Sequence, residues 1–272
     1  MRAPYDIVVV GGGMVGCAVA ALLADAIPGA RLLVMDAGPR PAWNPADEFD
    51  LRVSAVSEAS RRILARAGAW PAIAAGRIGP YRQMVVWDAA DHPGGKTNLV
   101  FDCAELGEPV LGHIIENRLM RTALTDALER GGVEMRFEAR LETLEPGPEL
   151  VELGLAGGER LRARLVAGVD GAASPVRRLA GLGAMGANYG QEALVAHVDF
   201  SAAHGEVARQ RFLEAGPLAL LPLADGRSSI VWSMGPDECR RLSAAREEDF
   251  LRELSMASQE VLGPATGVGP RA

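Results

Sequence analysis

Three glycines at positions 11, 13 and 16 follow the apolar run Tyr5-Asp6-Ile7-Val8-Val9-Val10 without a gap, and the residues after them read as a helix. In a G-x-G-x-x-G turn each glycine has its own task. Gly11 permits the tight exit from the strand. Gly13, without a side chain, lets a pyrophosphate approach the backbone. Gly16 lets the helix pack against the strand. The unpaired N–H groups and positive dipole end of that helix then face the phosphates. Twenty residues beyond Gly16, the apolar run Leu32-Leu33-Val34-Met35 ends in Asp36, a carboxylate placed to accept hydrogen bonds from a ribose diol. A glycine turn without a ligand requires only the first of these parts. Strand, glycines, helix and acid together give the layout of a dinucleotide-binding βαβ unit.

A second constellation lies at residues 161–178, where a strand ends at Asp170-Gly171, Ser174 stands as helix N-cap, Pro175 as first helical residue and Arg177 one turn further. Alone, this is an ordinary strand–turn–helix. The remaining candidate chemistry is sparse. Cys17, Cys103 and Cys239 follow no metal or redox spacing, and His92, His113, His197 and His204 form no ligand motif, so no protein metal site is expected. His113 and His197 are acid–base candidates only because histidine titrates near neutrality. A net charge of −7 with no basic block argues against nucleic acid as the main partner. Three scattered thiols fit a reducing compartment. The first strand begins at Tyr5, which leaves no room for a secretory leader, and no segment reaches the roughly 20 apolar residues of a membrane span. A cytoplasmic location is expected.

The elements that must position these residues follow from periodicity and turn chemistry. Strands are expected at 5–10 and 31–35, with a helix over 14–27 between them. Residues 37–56, with Pro39, Pro41 and Pro45, read as loop, and a helix runs from Ser57 as N-cap to about Arg66. Strands at 82–89 and 97–102 flank the turn His92-Pro93-Gly94-Gly95. A helix capped at Asn117 runs to Arg130 and stops at Gly131-Gly132. Strands near 133–137, 140–145, 149–155 and 159–168 come next. Residues 189–234 change character, with four strand-like runs and an Asp225-Gly226 hairpin signal, and read as an antiparallel sheet apart from the nucleotide-binding one. Helical spacing returns at 244–254, and the tail 265–272 shows no closing element.

Five stretches together resemble the class A flavoprotein monooxygenases, the para-hydroxybenzoate hydroxylase fold, and within them the ubiquinone-biosynthesis hydroxylases. They are the glycine unit; Asp50-Leu51-Arg52-Val53-Ser54-Ala55-Val56-Ser57; Leu111-Gly112-His113-Ile114-Ile115-Glu116-Asn117-Arg118; the D-G-x-x-S-x-x-R run from Asp170 to Arg177; and Arg211 to Leu223 followed by Ser229-Ile230-Val231-Trp232-Ser233. The resemblance implies an α/β fold: a Rossmann-like FAD-binding domain with an inserted antiparallel-sheet substrate domain, truncated at its C-terminal side. The implied division is 1–80 and 111–188 for the FAD-binding parts, with 81–110 and 189–272 for the substrate domain.

The resemblance also implies that the ADP half of FAD lies on Gly11, Gly13 and Gly16 with Asp36 on the ribose, where many relatives carry Glu. It places Arg52 and Arg118 near flavin and pyrophosphate, and gives Asp170 and Gly171 a part in FAD and nicotinamide binding. A surface salt bridge is the alternative for each arginine, and a purely structural turn is the alternative for Asp170. The implied reaction is hydroxylation of an aromatic ring with NAD(P)H and O₂, on a polyprenylated phenol, by a chain that makes peripheral contact with the inner membrane and works as a homo-oligomer or within a biosynthetic complex. Phe212, Leu218, Leu220 and Trp232 suit such a pocket but equally suit plain sheet core. One departure stands out: the family's third motif, Gly-Asp-Ala-Ala-His, is absent, and no Gly-Asp pair occurs. The chain is therefore read as the N-terminal two-thirds of such an enzyme. Another FAD monooxygenase or reductase of the same fold, or a non-catalytic binding scaffold, remains open.

Overall fold

The computed structural model describes residues 3–272. Its elements run β1 (Tyr5–Val10), α1 (Met14–Ala26), β2 (Leu32–Met35), β3 (Val53–Ser57), α2 (Glu58–Arg66), α3 (Trp70–Ala74), β4 (Ile78–Tyr81), β5 (Gln83–Asp88) and β6 (Leu99–Asp102). There follow β7 (Gly112–Glu116), α4 (Asn117–Arg130), β8 (Glu134–Arg136), β9 (Leu141–Pro146), β10 (Val151–Leu155), β11 (Arg160–Gly168) and α5 (Pro175–Leu179). The last group is β12 (Glu192–Phe200), β13 (Val207–Leu213), β14 (Gly216–Pro222), β15 (Ser228–Met234), α6 (Pro236–Ala244), α7 (Glu247–Ala257) and β16 (Ala265–Arg271). The chain divides into two compact units.

The first unit comprises residues 1–47, 61–76 and 117–186. Its sheet has the order β8-β2-β1-β11-β10-β9, parallel from β8 to β11 and antiparallel from there to β9. Every residue of β2 and all of β1 but Asp6 are buried. That matches their unbroken apolar runs, since a parallel strand covered on both faces has no solvent side to alternate towards. α1 and α4 pack on each other, and α4 buries Leu119, Met120, Ala123, Leu124 and Leu128 at helical spacing. Val8, Val10, Leu33 and Met35 pack with Leu153, Leu155 and Leu161 of the antiparallel strands.

The second unit comprises residues 48–60, 77–116 and 187–272. Its main sheet has the order β16-β12-β15-β14-β13-β5-β6. One face carries Leu194, Ala196, Leu218, Leu220, Ile230 and Trp232, which pack against Cys239 and Leu242 of α6 and Phe250 and Leu254 of α7. β3, β7 and β4 form a small antiparallel sheet of their own.

Several expectations need correction. Residues 48–60, 77–80, 111–116 and 187–188, read with the nucleotide-binding half, fall in the second compact unit, where β3, β4 and β7 pair with one another. The main sheet is not antiparallel throughout: β5 runs parallel to β13, because it arrives from an earlier part of the chain and not through a hairpin. The loop reading of 37–56 fails at β3, whose pairing with β7 supplies what local propensity does not. The helix expected at 244–254 is α7, shifted to Glu247–Ala257, with α6 before it not anticipated, and the tail is no loose end: β16 pairs with β12 as the edge strand. Among the described residues, no helix is long and apolar enough to cross a membrane, and no cluster of His, Cys, Asp and Glu is placed to hold a metal ion.

Candidate functional site

The C-terminal ends of β1, β2 and β11 meet at one edge of the parallel sheet, where the Gly11 N–H donates to the Met35 carbonyl at 2.8 Å and the Val169 N–H to the Val10 carbonyl at 2.8 Å. The glycine turn grows from this edge. Gly11 has φ 112°, and a Cβ there would lie 2.3 Å from the Val169 carbonyl oxygen. At Gly16 a Cβ would lie 1.8 Å from the Gly11 carbonyl oxygen, so α1 sits against the turn at a distance only glycine allows. Gly13 differs. It is the N-cap of α1 in extended conformation, no side chain caps the helix, its first turn carries no acid, and a Cβ would meet nothing within 4 Å. The helix thus opens onto free space with its N–H groups uncapped, as an anion site requires.

Asp36 follows β2 and is already engaged. Its Oδ2 accepts the Gly12 N–H at 2.7 Å and its Oδ1 the Gly38 N–H at 2.8 Å. Each carboxylate oxygen keeps a further lone pair for a hydroxyl. Gly12 and Gly38 were not singled out in the sequence. Gly12 holds the acid to the turn, and its place as the middle glycine of the Gly11-Gly12-Gly13 run is the one signal that could have suggested it.

The second motif is built as a self-contained cap. Ser174 Oγ donates to Asp170 Oδ1, the Val176 N–H donates to Asp170 Oδ2 at 2.9 Å, and Ser174 Oγ accepts the Arg177 N–H at 3.0 Å. The Arg177 guanidinium donates to the Ala172 carbonyl at 2.7 Å, and Gly171 takes φ 85° between them. Both Asp170 oxygens therefore serve the turn. Arg118, in the first turn of α4, lies 3.5 Å from the Asp47 carboxylate. Arg52 belongs to the second unit, on an exposed bend where its N–H donates to Asp50 Oδ1 at 3.1 Å. The first unit thus holds Gly11, Gly13, Gly16, Asp36, Arg118, Asp170 and Gly171, and the second unit holds Arg52. Cys17, in α1 behind the turn, is fully buried, and burial pushes its thiol up to about 11. It stays a neutral packing group at physiological pH.

In the second unit, strand register separates residues that the sequence grouped together. Leu218 pairs across from Trp232 and Arg211, so Leu218, Leu220 and Trp232 lie on the helix-covered face and are core. The opposite face carries the row Val195, Val231, Ala219, Gln210 and Val86, with Phe212 and Phe101 about half exposed beside it. His197, on that face, is 3% exposed, and its Nε2 meets the Asp50 carbonyl at 3.1 Å.

The profile of the FAD binding domain family matches residues 4–267. The chain is 38% identical over 269 residues to the ubiquinone biosynthesis monooxygenase COQ6 of Xenopus tropicalis, covering 94% of this chain and 57% of that protein. It is 36% identical over 264 residues to 3-demethoxyubiquinol 3-hydroxylase of Escherichia coli, covering 97% of this chain and 66% of that one. It therefore spans somewhat under two-thirds of these curated relatives. PqsL of Pseudomonas aeruginosa superposes with a TM-score of 0.76 at 21% identity, covering 98% of this chain and 74% of that one. p-Nitrophenol 4-monooxygenase PnpA of Pseudomonas putida does so with a TM-score of 0.74 at 22% identity, covering 100% and 68%. Both show the fold expected from the five sequence stretches.

Proposed function

Because this chain belongs to the FAD binding domain family, we propose that it is the cofactor-binding and substrate-facing part of an FAD-dependent hydroxylase acting on a polyprenylated phenol in ubiquinone biosynthesis. The observation that carries the reading is the bare N-terminus of α1: an uncapped first turn above a glycine whose missing side chain leaves open space. The identity to two hydroxylases of that pathway supports the substrate class.

In this reading Gly11, Gly13 and Gly16 shape the turn, the first N–H groups of α1 take the pyrophosphate, and Asp36 accepts from the ribose through the lone pairs its backbone bonds leave free. Arg118 exchanges its exposed partner Asp47 for the cofactor's phosphate, a small loss because exposed ion pairs contribute only about 0–1 kcal/mol. Asp170 and Gly171 hold the β11–α5 turn in shape and need not touch the cofactor. When bound, FAD supplies the redox chemistry that couples NAD(P)H and O₂ to ring hydroxylation. The protein's part is to orient the ring and keep water out. The face bearing Val195, Val231, Gln210 and Phe212, and not the helix-covered face, is the surface for an aromatic substrate. A prenylated substrate resides in the bilayer, so peripheral contact with the inner membrane belongs to the same reading.

Titration of the purified chain with FAD, read by flavin fluorescence and visible absorbance, tests it. Saturable one-to-one binding is expected. Absence of binding to a chain shown to be folded would overturn the cofactor assignment for these residues.

A further inference from the structure

Strand β6 is the last strand on one side of the seven-stranded sheet and has no strand on its outer side. The Cys103 N–H donates to the Arg82 carbonyl at 2.9 Å, so the backbone of residue 103 turns towards the β5 side. Alternation along a strand turns Leu99 and Phe101 the same way. It leaves the N–H and C=O of Val100 pointing outward, with the Asp102 N–H beside them. The side chains on this edge are apolar and uncovered. Leu99 is 61% exposed, and Val100 and Phe101 are each 51% exposed. Leu106, in the turn that follows, is 69% exposed. Register puts Leu99 and Phe101 on the open face, in rows with Val86 and Met84, and Val100 on the opposite face, in a row with Val85 and Arg209.

Unpaired backbone groups beside apolar side chains template the addition of another strand, and native edges are blunted by charge, proline or shortness. The strand at the other side of the same sheet, β16, carries Pro270 and Arg271. In the first unit, edge strand β8 is only Glu134, Met135 and Arg136, and edge strand β9 carries Glu142, Glu145 and Pro146. Between Asn98 and Asp102, β6 has neither charge nor proline.

The sequence of this edge is also complementary to itself. Antiparallel pairing about a two-fold axis at Val100 sets Val100 against Val100, Leu99 against Phe101 and Asn98 against Asp102. The two Val100 residues then exchange both of their backbone hydrogen bonds, and each Asp102 N–H meets the Asn98 carbonyl of the other copy. The one acid in the pairing opposes an amide, so no like charges meet. A lipid surface fits worse. Asp88, Asp91, Asp102, Glu105 and Glu108 stand against Lys96 alone in the segment around β6, and anionic headgroups would be repelled.

We propose that β6 is the seam of a two-fold dimer, in which the seven-stranded sheets of two copies join edge to edge through Val100. The pairing is isologous, so it closes at two copies. It stands whether or not the chain binds FAD.

Analytical ultracentrifugation of the chain should show a mass that doubles, and goes no higher, between about 1 and about 200 µM, the range of a small interface. Hydrogen–deuterium exchange over the same concentrations should slow about tenfold in the peptide spanning residues 97–103 and stay unchanged in β16. Val100→Pro removes the outward donor and no bond to β5, at a place where an edge strand accepts proline. It should stay monomeric at the higher concentration and melt near the wild-type temperature. Val100→Thr, which keeps the N–H and the β-branch, should dimerise as wild type does. A wild-type chain that stays monomeric throughout overturns the proposal. So does a dimer that survives Val100→Pro, or one that leaves exchange across 97–103 independent of concentration, because another surface would then join the copies. The exchange measurement needs no variant, so it decides the seam even where proline costs the fold.

Discussion

A methyl group placed on each of the three motif glycines meets three different surroundings, and that separates folding from binding. Gly11→Ala and Gly16→Ala each put Cβ against backbone oxygen, at 2.3 and 1.8 Å. Neither obstacle can swing away, so each variant should lose about 3 kcal/mol of stability or more. Gly13→Ala places its methyl in open space on an extended backbone. Its denaturation midpoint should stay within about 0.5 kcal/mol of wild type, while FAD affinity falls at least tenfold, about 1.4 kcal/mol. Thermal melts and flavin fluorescence on the same samples check both halves, and a Gly13→Ala variant that binds FAD normally would refute the assigned approach of the pyrophosphate. His197 makes a separate prediction. Burial is the main cause that lowers its pKa. The unfolded chain therefore takes up the proton first, as pH falls below about 6.5, and stability drops through that window until the folded value is reached. His197→Gln should flatten this part of the stability–pH profile measured by urea denaturation. An unchanged profile would show that His197 does not titrate between the two states.

The elements of the second unit are tied by long-range side-chain bonds that local patterns cannot announce. Arg271, on edge strand β16, donates to the Leu242 and Ala245 carbonyls at 2.9 and 2.7 Å and stacks 5.0 Å over Phe250. It joins the Ala245 N–H on the Leu242 carbonyl and satisfies the Ala245 carbonyl just past the end of α6. Arg271→Ala should cost about 1–2 kcal/mol in chemical denaturation. At the end of α7, Gln259 and Glu260 both take φ near +50°. Glu260 is exposed, so Glu260→Gly should gain about 0.5–1 kcal/mol by relieving the left-handed backbone. Gln259→Gly should lose more than it gains, because Gln259 accepts the Trp87 indole N–H at 2.8 Å and donates to the Asp91 carbonyl at 3.1 Å. These ties explain what the sequence left hidden. The first unit was legible because β1, α1 and β2 carry their own periodicity and the glycine turn carries its own chemistry. β4, with Gly79 and Pro80, is assigned no element from the sequence and β16, with Gly267, Gly269 and Pro270, is read as a tail; both become strands because β7 and β12 offer them ladders. Phe212 and Leu218 were grouped as one apolar lining because the β13–β14 register, which sends them to opposite faces, is not written in either strand alone.

At the scale of the molecule, FAD should act as a folding ligand. If it binds only the native state, its presence at a hundred times its dissociation constant adds about 2.7 kcal/mol of stability. ADP should give a smaller shift of the same sign, since the assigned contacts lie on the adenosine diphosphate half. A melt in which FAD protects and ADP does not would move the binding energy away from Gly11, Gly13, Gly16 and Asp36. The two units are each assembled from three separated stretches, in the alternating order 1–47, 48–60, 61–76, 77–116, 117–186 and 187–272. Neither can be excised as one continuous piece of gene, and a single proteolytic cut between any two stretches leaves both units with covalent connections to lose. Synthesis on the ribosome delivers them in the same alternation. The strands beside β1 are complete only when residue 168 has emerged, and β12 waits for an edge partner until residue 271. Each of these strands thus keeps one edge unpaired long after its other neighbour has emerged, and a nascent chain of this order depends on late arrivals to cover that edge.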